Sequence, residues 1–125
     1  MTRKELTYKR DLSFSTWIRE NLPDSVSGFM VSDIDFYIYN YKKKIHALVE
    51  VKTRNAPVKT WQKIMYENLC KWIKEGSEKD GWLFKGLYII TFENTNFEDG
   101  ICYLNNNVIS ESELIEILSL YDLAI

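Results

Sequence analysis

Hydrophobic and polar side chains alternate with a period of two along two neighbouring stretches of the chain. In the first, Ile34, Phe36, Ile38 and Asn40 interleave with Asp33, Asp35, Tyr37 and Tyr39. In the second, Ile45, Ala47, Val49 and Val51 interleave with His46, Leu48, Glu50 and Lys52. A period of two marks a β-strand, because successive side chains point to opposite faces. The polar residues 40–44 lie between the runs and read as a turn, so a hairpin is expected. Leu48 interrupts the polar row of the second run, which implies that both faces of that strand are at least partly covered.

The flanking pattern is helical. Phe14, Trp17, Ile18 and Leu22 predict a helix over residues 12–22, with Asp11 or Ser13 as its cap and Pro23 as its stop. A short apolar run at residues 29–31 predicts one more strand ahead of the hairpin. From residue 58 to 74, Trp61, Ile64, Met65, Leu69, Trp72 and Ile73 recur at intervals of three and four, the strongest helical signal in the chain. Residues 76–81 read as a charged loop, and residues 82–92, with Leu87 to Ile90 continuously apolar, as a central buried strand. A short strand at 101–104, a turn at 105–107 and an acidic amphipathic helix from Ser110 or Ser112 through Tyr121 complete the chain. The sequence of elements predicts an α/β fold with helices packed against a sheet, in a single domain spanning residues 1–125.

Composition adds exclusions. With 46% hydrophobic and 27% charged residues in 125, the chain has the makeup of a globular domain rather than a disordered one. No apolar run approaches the roughly 18 residues of a membrane helix, so no membrane partner is expected. The opening M-T-R-K-E-L lacks the apolar stretch of a secretory signal. Cys70 and Cys102 have no metal-binding spacing and read as free thiols, which points to the cytoplasm. Charge is divided unevenly: residues 1–92 carry +5 and residues 93–125 carry −7, for a net −2. A basic body suits a polyanionic partner on one face.

The candidate chemistry lies in the two alternating runs. Asp33 and Asp35 share one face of the first, and Glu50 and Lys52 share one face of the second. Pairing of the runs would bring carboxylates and an ammonium together, either as a cross-strand salt ladder or as a site for a cation. Aspartate on one strand, Glu-x-Lys on the next and then a helix resembles the PD-(D/E)xK nuclease superfamily. The matching pieces are S-D-I-D-F at 32–36 and V-E-V-K-T-R at 49–54. Gln62 and Tyr66 fit the Q-x-x-x-Y that follows Glu-x-Lys in RecB-like members, and archaeal junction resolvases of this fold have a similar size. The His that RecB-like members often carry on the first helix is absent, since the single His is His46.

The resemblance implies a restriction-endonuclease-like core (α-β-β-β-α-β) over residues 12–92, with a mixed central sheet flanked by helices and a C-terminal strand and helix at 93–125 as an extension. It implies a metal-dependent hydrolase cutting phosphodiester bonds of DNA, with Asp35, Glu50, Lys52 and Gln62 as catalytic residues. Mg²⁺ or Mn²⁺ would be held by Asp35 and Glu50, with the Val51 carbonyl and Glu20 as further candidate ligands. Lys52 would orient or deprotonate the attacking water, or stabilise charge in the transition state. Gln62 would hydrogen-bond near the metal or the scissile phosphate, and Tyr66 would face substrate or buttress Gln62. Lys43, Lys44, Arg54, Lys59, Lys63 and Tyr66 are the candidate nucleic-acid contacts, because residues 42–63 hold seven basic side chains and one acid. RNA stays open as a substrate, a homodimer is expected from the junction resolvases, and a catalytically inactive protein that binds nucleic acid or a protein partner is the alternative. The plainer readings of single residues are a solvated Glu20, a satisfied strand residue at His46 and a solubilising turn at Lys42 to Lys44.

Overall fold

A computed structural model describes residues 12–121. The chain divides into two compact units, residues 1–33 and residues 34–125.

The first unit holds helix α1, Ser13–Asn21. Phe14 and Trp17 stack on its surface at 5.6 Å between ring centroids. Leu22 closes the helix by donating its N–H to the Ile18 carbonyl, immediately before Pro23. Neither expected cap is seen: Asp11 lies outside the described residues, Ser13 is inside the helix, and the cap position belongs to Leu12. A 3-10 turn at Ser25–Ser27 ends on Gly28, whose φ of 93° favours glycine. The strand expected at residues 29–31 does not form. Phe29, Met30 and Val31 are all exposed, so their apolar side chains gain no burial from an extended segment here.

The second unit is built on five strands: β1 Phe36–Asn40, β2 Ile45–Lys52, β3 Leu83–Phe92, β4 Cys102–Leu104 and β5 Asn107–Ile109. They are ordered β1-β2-β3-β4-β5 in one sheet. Only β2 and β3 run parallel, and helix α2, Thr60–Lys79, makes the crossover that a parallel pair requires. The other neighbours are antiparallel, so the sheet is mixed. At the β1–β2 turn, Asn40 Oδ1 accepts the N–H groups of Lys42 and Lys43 at 3.1 and 3.0 Å, and Lys44 takes a left-handed φ of 58°. The first alternating run begins its strand at Phe36, so Asp33 and Asp35 precede β1 instead of sharing a strand face.

The two faces of the sheet have separate partners. Val49, Val51, Ile90 and Cys102 lie on one face, where Leu114 and Ile117 of helix α3, Glu111–Leu118, cover them to form the core. The opposite face of β2 carries His46, Leu48, Glu50 and Lys52, and α2 packs here. Both faces of β2 are thus covered, and residues 45–50 are all buried. Helix α2 continues past residue 74, where the periodicity ends, because Ser77 turns inward and its hydroxyl meets His46 Nε2 at 2.6 Å. Between His46 and Leu48 the β2–β3 register shifts by one residue, and Gly86 on β3 takes up the irregularity with a φ of 101°. Asn105 and Asn106, with φ of 48° and 72°, turn β4 into β5, a strand that extends the sheet by one. Ser110 is the cap of α3: its hydroxyl accepts the Glu113 N–H at 3.2 Å, and Glu113 Oε1 accepts the Ser110 N–H at 3.1 Å. The helix ends at Leu118, earlier than its apolar pattern, where the buried Leu120 takes a φ of 54° and its carbonyl accepts from Asn40 Nδ2 at 3.0 Å. No helix among the described residues is long and apolar enough to cross a membrane.

Candidate active site

β1 pairs with β2 from Phe36 opposite Val49, so continuing that register by one residue puts Asp35 opposite Glu50. Asp35 does not continue the ladder with its backbone. Its Oδ2 accepts the Val51 N–H at 2.8 Å instead, which anchors the carboxylate at the open end of the hairpin. Glu50 is 6% exposed, and its Oε2 accepts the Tyr66 hydroxyl of α2 at 2.7 Å.

Burial raises the pKa of the Glu50 carboxyl above the ordinary range. The Tyr66 hydrogen bond opposes that shift, the Asp35 carboxyl adds to it through hydrogen bonding and charge, and the Lys52 ammonium opposes it. Glu50 therefore feels Asp35, Lys52 and Tyr66 together. The two acids named from the sequence meet where β2 emerges from under α2, and Lys52 follows two residues along the strand on the Glu50 face.

The donor set suits a hard divalent ion in a particular way. Among the described residues no three His, Cys, Asp or Glu side chains stand together as a metal-binding group. A cation here would rest on the oxygens of Asp35 and Glu50, with main-chain carbonyl or water oxygens completing its shell, an arrangement usual for Mg²⁺. Glu20 is an exposed residue of α1 in the other unit.

Other expected residues fall in different places. Gln62 caps the start of α2, where its Oε1 accepts the Lys59 N–H at 3.3 Å. Tyr66, one turn on, buttresses Glu50. Lys43 and Lys44 sit in the β1–β2 turn, at the wrong end of the hairpin for this site. The 8 residues of β2 put roughly 23 Å between that turn and Lys52. Arg54, Lys59 and Lys63 lie at the correct end, exposed around the loop that leads into α2. Arg54 and Asn55 take left-handed φ of 55° and 53°, and their N–H groups bond the Asn94 and Phe92 carbonyls, which fixes this loop against the end of β3.

His46, at the other end of the same polar row, is satisfied on both ring nitrogens: Nδ1 meets the Tyr37 hydroxyl at 2.9 Å and Nε2 meets Ser77. Burial lowers its pKa. It joins α2 to the hairpin and lies away from the acid pair.

One feature had no signal in the sequence pattern. A groove of about 500 Å³ opens beside the acid–lysine cluster, lined by Asn55, Lys63, Ile89, Thr91, Tyr103 and Asn106 among others. The register sets Ile89 beside Glu50, Thr91 beside Lys52 and Tyr103 beside Thr91, so the groove lies on the same sheet face as the cluster. Reading it from the sequence would have required the β3–β4 pairing in advance.

The chain is 34% identical over 100 residues to an uncharacterized protein of Archaeoglobus fulgidus, in a match that covers 76% of this chain. The chain spans 62% of the length of that relative. No family model matches the chain, and no solved structure matches it.

Proposed function

We propose that this protein is a divalent-metal-dependent nuclease that hydrolyses phosphodiester bonds of DNA on a restriction-endonuclease-like core. The observation that carries the reading is the pairing of Asp35 with a buried Glu50 at the open end of one hairpin, with Lys52 two residues along on the Glu50 face. Burying the Glu50 carboxyl beside the exposed carboxylate of Asp35 is costly in a protein with no use for the pair. The β1–β2 hairpin, the α2 crossover and the parallel β3 correspond in order to the last part of the α-β-β-β-α-β core. The first strand of that core has no counterpart at residues 29–31.

Bound Mg²⁺ or Mn²⁺ would supply charge neutralisation at the phosphate and an acidified water as nucleophile. Asp35 and Glu50 present the acidic oxygens, and the Val51 carbonyl is a further candidate. The Val51 N–H holds Asp35 in place, and the Tyr66 hydroxyl fixes the rotamer of Glu50. Lys52, two residues along β2, offers its ammonium on the same face to the attacking water or to the phosphate oxygens. Arg54, Lys59 and Lys63 supply backbone contacts to the strand. The two free cysteines agree with a cytoplasmic setting, and the exposed aromatics with a homodimer.

Purified protein with Mg²⁺ or Mn²⁺ is expected to cut linear, circular or branched DNA. Lys52→Ala removes the cutting while the circular dichroism spectrum stays unchanged. Cutting that persists in Lys52→Ala or in EDTA overturns the proposal. The second reading, a non-catalytic binding protein on the same fold, is favoured by the lack of a third acidic ligand beside Asp35 and Glu50 among the described residues. Thermal stabilisation by Mn²⁺ that disappears in Glu50→Ala distinguishes the enzyme from it.

A further inference from the structure

The chemistry at Asp35 and Glu50 makes no use of the neighbouring groove. Its volume of about 500 Å³ suits a small organic group and not a paired duplex. Its lining is mixed and carries no carboxylate: Asn55, Thr91, Tyr103 and Asn106 offer hydrogen bonds, Ile89 gives an apolar floor that Ala56, Pro57 and Val58 extend, and Lys63 is the cation. The walls are well held. Asn105 exchanges two bonds with Ile89, its N–H to the Ile89 carbonyl and its Oδ1 from the Ile89 N–H, both at 2.9 Å. An aromatic ring, side-chain amides and one ammonium, with acids excluded, make a surface for a base and its phosphate. Because Thr91 neighbours Lys52 and Ile89 neighbours Glu50, a phosphate at the acid–lysine cluster would have its adjacent nucleotide over this groove.

We infer that the groove binds one unpaired nucleotide next to the scissile phosphate, with its base against Tyr103 and its phosphate toward Lys63, so that the preferred substrate is single-stranded DNA or a single-stranded branch. The position of the scissile phosphate rests on the nuclease reading, whereas the binding of an unpaired strand needs no cutting.

The test measures binding of a labelled single-stranded oligodeoxynucleotide by fluorescence anisotropy in EDTA, beside the duplex of the same sequence. The full chain is expected to bind the single strand more tightly than the duplex. Tyr103→Leu weakens that binding about tenfold, as loss of one base–aromatic stack does, and Tyr103→Phe retains it. Asn106→Gly, which suits the left-handed backbone at that turn, weakens it without disturbing the fold, and decides the matter if Tyr103→Leu does not fold. Preference for the duplex, wild-type binding by both Tyr103→Leu and Asn106→Gly, or a free mononucleotide that competes as well as the oligonucleotide overturns the inference. Cleavage with Mn²⁺, followed in parallel, separates the two ideas. Tyr103-dependent binding without cutting supports the groove and removes the nuclease reading, while Lys52-dependent cutting with binding indifferent to Tyr103 removes the groove alone.

Discussion

Glu50 is held between opposing influences. Burial and Asp35 favour its protonated form, while Tyr66 and Lys52 favour its charge. A folded-state pKa above the unfolded value means that the native protein binds more protons in that window. Stability contributed by this group is therefore present below the unfolded pKa and is lost as pH rises through the folded one. Glu50→Gln keeps an oxygen for the Tyr66 hydroxyl and removes the charge. The metal-free variant is expected to melt a few degrees higher than wild type near neutral pH, a gain on the order of 1 kcal/mol, and to lose stabilisation by Mn²⁺. Calorimetry with and without the ion checks both halves, and an unchanged response to Mn²⁺ places the ion elsewhere. Residue types at this site were legible because Asp, Glu and Lys are rare next to such apolar rows. Partners were less so: Tyr66 was found, but its bond to Glu50 depends on how α2 crosses the sheet.

Among the elements, β2 and α2 depend on one another through a line of polar contacts. Ser77 and Tyr37 satisfy the buried His46 in the same way that Tyr66 satisfies Glu50. Ser77→Ala leaves a ring nitrogen without its partner and is expected to cost about 1–3 kcal/mol, read as a lower denaturation midpoint. His46 has a pKa lowered by burial, so its neutral form is the native one. Its contribution to stability is complete above the unfolded value of 6.5 and declines as pH falls below it. A stability profile that is flat below that pH in wild type contradicts this account. The alternation in residues 36–40 and 45–52 was readable because period two needs no tertiary knowledge. The extra turn of α2 was not, since Gly76 reads locally as a stop and only the contact of Ser77 with a distant strand outweighs it. β5 escaped notice for the same reason: Asn107, Val108 and Ile109 make a strand only because β4 is there to pair with them.

At the scale of the whole molecule, the basic residues of 42–63 do not form one surface. The hairpin separates Lys43 and Lys44 at its turn from Arg54, Lys59 and Lys63 at its open end. Closeness in sequence suggested one phosphate-binding patch, and folding the chain back on itself divides it. Lys43→Gln together with Lys44→Asn is expected to leave DNA binding near wild type. Lys63→Gln weakens it and lowers the dependence of log affinity on log salt concentration by about one. Titrations at several ionic strengths make the comparison, and equal losses in both variants place the strand across the hairpin turn. The mixed α/β sheet follows from the order of the elements, but the division of the chain into two compact units has no counterpart in its composition.

The Val51 amide points its proton at the carboxylate of Asp35. A backbone group so placed registers any change in the charge of that oxygen, whether a proton, a cation or a passing substrate alters it. Its resonance in a nitrogen–proton correlation spectrum is a built-in gauge of the site, readable in an unmodified protein and before any reaction has been found.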